Sequence, residues 1–107
     1  MPKYLVQASY TLEGAKGLLK DGGSKRRAAV QEMLKGLGGA MEAFYYAFGE
    51  SDAFVIADVP DNVTATAVAL AVNASGAVRA RTTVLITPEE VDQAIKKTVK
   101  YRAPGQK

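Results

Sequence analysis

Hydrophobic and polar positions change period several times along the chain, and each change predicts a new element. Residues 3–10 are rich in Tyr, Leu and Val and predict a strand. Thr11 is expected to cap a short helix, which the run Asp21-Gly22-Gly23 interrupts. Ser24 is expected to cap a second helix that ends at Gly38-Gly39. The apolar positions of that second helix follow helical spacing and are Val30, Met33, Leu34 and Leu37.

The central part of the sequence predicts a hairpin followed by a helix. Residues 40–48 and 53–59 are β-rich runs, and residues 49–52 form a turn between them. Pro60-Asp61 ends the second run and begins a helix that stops near Gly76. The positions of this helix expected to be buried are Ala65, Val68, Ala69 and Val72.

The C-terminal part predicts a fourth strand and a last helix. Residues 78–86 form the strand, and Thr87, Pro88 and Glu90 combine an N-cap, a proline at N1 and an acid at N3. In the last helix we expect these apolar positions to face inward: Val91, Ala94, Ile95 and Val99.

The resulting order, β-α-β-β-α-β with an added helix, is the ferredoxin-like pattern of the α+β class. The 107 residues fit one domain, which we expect to span residues 1–100. Residues 101–107 contain Pro104-Gly105 and are expected to form a disordered basic tail.

The predicted strands are apolar on both faces. In the third strand Phe54 and Ile56 alternate with residues as apolar as Ala53 and Val55. In the second strand we expect Phe44, Tyr46 and Phe48 to oppose Met41, Ala43 and Tyr45. Helices cover only one face of such a sheet, so the other needs a second cover. We therefore expect a homodimer, or a higher homo-oligomer, in which two sheets pair as a dimeric α/β barrel.

The distribution of charged and apolar residues argues against a nucleic-acid partner and against a membrane-spanning segment. The net charge is +3, but five of the basic residues lie in the last twelve positions, and residues 1–95 carry a net charge of −2. Basicity confined to a helix end and tail is typical of a solvated surface, so we predict no nucleic-acid partner. No apolar run is long enough to span a membrane, and no signal peptide is visible. We expect a cytoplasmic protein.

The chain contains no histidine and no cysteine. This excludes His-dependent triads, thiolate nucleophiles and Cys/His zinc sites, and we predict neither a cofactor nor a metal. The glycine-rich run of residues 36–39 follows a helix and precedes a strand, which is the reverse of a dinucleotide-binding loop. We interpret it as a helix cap and turn.

Two arginines are the main candidate ligand-binding residues. Arg79 and Arg81 share one face of the fourth strand with Thr83. Two neighbouring guanidinium groups repel each other unless an anion or carboxylates hold them. Ion pairs with Glu42 or Asp52 and a bound carboxylate or phosphate are both open at this point.

The other candidate ligand-binding residues are Tyr10, Tyr46 and Asp52. A buried tyrosine needs a hydrogen-bond partner for its hydroxyl, so each ring either packs in the core or lines a pocket. Asp52 suits a turn equally well. The run Lys25-Arg26-Arg27 is interpreted as a solvated helix face. No catalytic residue is identified.

Five segments together resemble one known family, the GYD domain family. They are residues 4–10, 11–19, 39–46, 48–52 and 75–82, and the resemblance spans about residues 3–92. It implies a dimeric α/β barrel and no assigned activity. Ser51 stands where the family signature has tyrosine, between Gly49 and Asp52, so any site that uses that tyrosine is altered here.

We therefore expect a binding or regulatory module for a small molecule, with an anion as one option. One alternative is a cofactor-free enzyme, by analogy with dimeric-barrel monooxygenases. The other is a structural or interaction protein whose barrel is filled by side chains.

Overall fold

The computed structural model describes residues 1–106, and Lys107 lies outside the described residues. The chain runs through eight elements in the order β-α-α-β-β-α-β-α. They are β1 (Lys3–Tyr10), α1 (Leu12–Asp21), α2 (Gly23–Gly36), β2 (Ala40–Tyr46), β3 (Ala53–Asp58), α3 (Asn62–Ala74), β4 (Val78–Leu85) and α4 (Pro88–Ile95).

The four strands form one antiparallel sheet in the order β2-β3-β1-β4. The two inner strands, β1 and β3, face each other from Lys3 opposite Asp58 to Ala8 opposite Ala53. On its other side β1 pairs with β4, from Lys3 opposite Leu85 to Tyr10 opposite Val78. This order is compatible with a ferredoxin-like sandwich, and the predicted α+β class is confirmed.

Three helix starts occur where the sequence predicts them, because a side-chain oxygen satisfies a free backbone N–H at each. The Thr11 hydroxyl accepts from the Gly14 N–H in α1, and Asp61 Oδ1 accepts from the Thr64 N–H in α3. Thr87 and Glu90 form a reciprocal capping box at the start of α4.

The predicted cap of the second helix is wrong. The N-cap of α2 is Gly22, not Ser24, and no side chain caps this helix. Gly22 has φ +86°, a left-handed conformation that glycine adopts without strain, and its N–H donates to the Leu18 carbonyl. A single residue therefore ends α1 and begins α2.

The core lies on the face of the sheet that α1, α2 and α3 cover. Ala53, Val55 and Ala57 of β3 point into it, whereas Phe54 and Ile56 point to the other face, as the alternation predicts. Two clusters of buried residues fill the core. One contains Tyr4, Leu34, Ala57 and Val59, and the other contains Ala8, Ala53 and Val78.

The predicted faces of β2 need one correction. The register with β3 shifts between Met41 and Ala43, so the strand contains one extra residue there. Met41 consequently packs against the core, on the same side as Phe44, instead of sharing a face with Ala43. The strand also ends at Tyr46, and Phe48 is fully exposed in the connection to β3.

The face that the helices leave uncovered is called the open face. Its side chains come from all four strands, and at its centre Leu5, Phe54 and Ile56 are half-buried. Tyr45 of β2 stands at one edge and is 70% exposed. Such a surface is more apolar than a solvated sheet face needs to be.

The C-terminal arm (residues 86–106) extends away from this body. The prediction that Val91, Ala94, Ile95 and Val99 face inward is wrong for the single chain, because all four are exposed. Beyond α4 the chain has no further helix or strand up to residue 106, and Ala103 and Gln106 close a turn by two hydrogen bonds. The predicted disorder of residues 101–107 stays a prediction.

Within residues 1–106, none of the helices has the length and apolar character needed to cross a membrane.

Candidate functional site

A cleft lies on the helix-covered face of the sheet, between α2 and α3, with a volume of about 170 Å³. Its floor is formed by residues of the sheet, and alanines make up much of its lining. Six of these alanines are Ala8, Ala53, Ala57, Ala65, Ala69 and Ala80. Because alanine ends at Cβ, these positions leave space that leucine or phenylalanine would fill.

The two walls of the cleft stand apart. Arg26, Val30 and Met33 of α2 form one wall, and Val68 and Val72 of α3 belong to the other. Leu34 is the one buried residue of α2, and α3 has none. The helices thus pack on the sheet without closing over it, and the cleft stays partly open between them.

Polar groups gather near the start of α2. Arg26 and Tyr10 line the cleft, and Tyr46 lies beside them on β2. The Tyr46 hydroxyl donates to the Gly23 carbonyl at 3.0 Å, and its ring meets that of Phe44 edge-on, with centroids 5.0 Å apart. The mainly apolar lining of the cleft therefore includes one guanidinium group, that of Arg26, and three residues with hydroxyls, which are Tyr4, Tyr10 and Thr82.

The position of Tyr46 depends on glycine at residue 23. A Cβ on Gly23 would lie 3.0 Å from the Tyr46 ring, closer than ordinary contact. The absence of a side chain lets the ring lie against the first turn of α2 and reach its backbone carbonyl.

The same surroundings raise the pKa of the Tyr46 phenol above its usual 10.0. Burial is the largest cause, because it disfavours the charged phenolate, and the neighbouring Tyr10 side chain adds to it. Arg26 and Arg27 act in the opposite direction. At neutral pH Tyr46 is a protonated hydrogen-bond donor and not a base.

The six predicted ligand-binding residues lie in three places. Tyr10 lines the cleft, and Tyr46 lies next to Tyr10 without lining it. Arg79, Arg81 and Thr83 lie on the open face, where their partners across the strand pair are Ser9, Gln7 and Leu5. The sheet therefore separates the two tyrosines from the two arginines, and one chain does not bring them together in a single pocket.

Asp52, the sixth residue, joins the start of β3 to the end of β1. Its Oδ2 atom accepts a hydrogen bond from the Tyr10 N–H at 2.8 Å, and its own N–H donates to the Ala8 carbonyl. Next to it Ser51 is 7% exposed. Ser51, which stands where the resemblance implies a tyrosine, is thus enclosed.

The predicted ion pairs of the arginines with Glu42 or Asp52 are wrong. Glu42 instead pairs with Lys3, which also binds Asp58 at 2.9 Å, and Asp52 is engaged by the β1 backbone. Within residues 1–106 neither Arg79 nor Arg81 forms an ion pair. The same part of the chain holds no group of three His, Cys, Asp or Glu side chains arranged for a metal ion.

Sequence reasoning missed the contribution of α2 to the site. Arg26 was assigned to a solvated face, yet it lines the cleft. The available signal was the alanine content of the sheet and of α3. Small residues at core positions 8, 53, 57 and 80 indicate unfilled volume once the sheet order is known.

Comparison with known proteins identifies the family of this chain. No curated protein and no solved structure matches the chain. The model of the GYD domain matches residues 4–95, which include all six predicted ligand-binding residues and every strand residue except Lys3. The match covers most of the 107 residues, and the chain belongs to the GYD domain family.

Proposed function

We propose that this protein is a binding module that holds one small, mainly apolar molecule with an anionic group in the cleft between α2 and α3. The observation that carries the proposal is the alanine-lined cleft itself. An apolar cleft of about 170 Å³ that side chains leave unfilled loses van der Waals contacts, which costs free energy. A ligand that restores the missing contacts recovers part of that energy.

The size and lining of the cleft define the ligand. A dry apolar cavity of about 150 Å³ accommodates benzene, so a single ring or a short branched chain fits here. Arg26 has no carboxylate partner within residues 1–106, and Tyr10 lies beside it. A charge-assisted hydrogen bond from guanidinium to carboxylate would fix one end of the molecule.

Benzoate is the first probe, with toluene as its uncharged counterpart. At a concentration about 100 times its Kd, a ligand of the folded state raises the free energy of unfolding by about 2.7 kcal/mol, which thermal unfolding detects. We expect benzoate to stabilise the protein, and Arg26→Met to remove the preference for benzoate over toluene. If neither compound binds in calorimetry, the proposal fails.

A matched pair of variants locates the binding. Ala69→Leu adds a side chain to the wall of the cleft and is expected to abolish benzoate binding while the protein stays folded. Ala67→Leu makes the same change at an exposed position of α3 that does not line the cleft, and is expected to bind normally. Equal binding by both variants would place the ligand elsewhere.

We further propose that the protein works as a homodimer. The half-buried apolar centre of the open face, formed by Leu5, Phe54 and Ile56, supports a second copy as its cover. Sedimentation velocity on the full chain tests this. A dimer with a Kd of about 1 μM is almost fully formed at a protein concentration of about 100 μM, so a single monomeric species at that concentration would contradict the proposal.

The cytoplasmic location expected from the sequence stays a prediction.

The alternatives have weaker support. A cofactor-free enzyme needs a base, and the raised pKa of Tyr46 keeps the phenol at the cleft protonated. A purely structural role requires a filled core, whereas the cleft is lined by alanines.

A further inference from the structure

The C-terminal arm carries an apolar stripe that is exposed in the single chain. Val91 and Ile95 lie one helical turn apart on α4 and are 46% and 75% exposed, and Val99 and Tyr101 beyond it are similarly exposed. The first turn of α4 is nevertheless fixed by a full capping box. A well-started amphipathic helix without a packing partner is marginal in water, because most helical stability comes from tertiary contacts.

The accessible surface area of the chain is larger than that of a compact monomer of the same mass. The accessible surface is 7901 Å², whereas a compact monomer of 11.3 kDa exposes about 5,700 Å². The radius of gyration is 17.3 Å, compared with about 13 Å for a compact domain of this length. Each chain thus exposes about 2,200 Å² more than a compact monomer. Two chains together have an excess in the range that obligate homodimers bury.

Charge indicates which surface receives the arm. The helix α4 contains Glu89, Glu90 and Asp92 and no basic residue. Asp92 is next to Val91 in sequence and flanks the stripe. Arg79 and Arg81 lie exposed on the β4 edge of the open face without ion pairs in residues 1–106. The acidic helix and the basic strand edge are therefore complementary, and the arm extends away from its own sheet.

We propose that α4 of each copy packs along the β4 edge of the open face of a second copy, so that two copies exchange their C-terminal arms. This inference rests on the proposed homodimer and adds the element that holds it together. The apolar stripe contacts Leu5 and Leu85 of the partner strands, and Asp92, which flanks the stripe, faces Arg79 and Arg81.

A pair of double variants in the full chain tests the exchange. Val91→Glu with Ile95→Glu puts two carboxylates into the stripe and is expected to weaken the dimer by about 100-fold, because two apolar side chains lose their burial. Gln93→Glu with Lys96→Glu places two carboxylates on the opposite side of α4 and is expected to leave the dimer intact. Sedimentation velocity measures both, and circular dichroism checks that both fold.

The outcomes separate this inference from the dimer itself. If the wild-type chain is monomeric, the homodimer and the exchange both fail. If the wild type is dimeric and both double variants dimerise equally well, the dimer stands and the exchange is overturned. Binding of a monomeric wild type to phosphatidylserine vesicles would identify a membrane as the partner and overturn the exchange as well.

Mixing charge-reversed copies gives an independent test. One variant carries Arg79→Glu and Arg81→Glu, and the other carries Asp92→Arg. Each alone places like charges at both contacts of the dimer and is expected to associate weakly, whereas the mixture restores opposite charges at both contacts. Recovery of a heterodimer supports the exchange, and a mixture no more associated than its components overturns it.

Discussion

Asp52 and the backbone of Tyr10 are joined by a hydrogen bond of 2.8 Å between Oδ2 and the N–H. This bond fixes the connection between β2 and β3 to the end of β1, beside the tyrosine that lines the cleft. We expect Asp52→Ala to lower the free energy of unfolding by about 1–3 kcal/mol, because the half-buried N–H loses its partner. Urea unfolding measures the loss.

Asp52→Asn is the matched control, since its amide oxygen keeps the acceptor and only the charge is removed. We expect it to retain most of the stability. If the alanine and asparagine variants are equally destabilised, the charge of Asp52 matters and the hydrogen bond does not.

Substitution of glycine by alanine is expected to have opposite effects on stability at two positions of α1. A Cβ on Gly14 would lie 1.9 Å from the Ala77 carbonyl oxygen, so Gly14→Ala forces α1 away from the start of β4. Nothing lies within 4 Å of a Cβ on Gly17. We expect Gly14→Ala to destabilise the fold by about 1–3 kcal/mol and Gly17→Ala to stabilise it by about 0.5–1 kcal/mol. Thermal unfolding that moves in the same direction for both would contradict this packing.

Lys3 gives a prediction at alkaline pH. Its hydrogen bond to Glu42, followed by that to Asp58, raises its pKa above the usual 10.5. The stabilisation from this raised pKa is fully present below the ordinary value, and is lost as pH rises through the pKa of the folded state. Chemical unfolding across this range should therefore show the difference between wild type and Lys3→Met shrinking above pH 10.5. A difference independent of pH would show that the ammonium charge is not the cause.

The pKa of Tyr46 should shift in opposite directions in two variants. Tyr10→Phe removes a neighbour that raises it, so we expect the pKa to fall towards 10.0. Arg26→Met removes a cation that lowers it, so we expect the pKa to rise further. Carbon-13 NMR of labelled tyrosine rings follows Tyr46 separately from the other four. Shifts of the same sign would contradict the arrangement around the phenol.

Local signals in the sequence were sufficient for most of the fold. Caps at Thr11, Asp61 and Thr87 depend on neighbouring residues, and the alternation in β3 follows from the geometry of a strand. The extra residue in β2 has no such signal. It moves Met41 to the core face, and only the register with β3 reveals it.

The candidate site was harder to predict, because it depends on which face each strand presents to the helices. Arg81 and Tyr10 are close in the sheet, yet they point to opposite sides, and the sequence does not show which side the helices cover. The position of α4 relative to the sheet could not be predicted from the sequence either. Its periodicity identifies an apolar stripe but does not show that this stripe is exposed in the single chain.

The alanines of the cleft have a consequence for how ligand preference changes between related proteins. The volume of the cleft depends on side chains that end at Cβ as well as on the spacing of the helices. Replacing one of them by valine removes space equal to about two methyl groups and leaves strands and helices in place. Ligand size is therefore adjustable one residue at a time, so chains with the same fold and the same edge contacts can differ in what they hold.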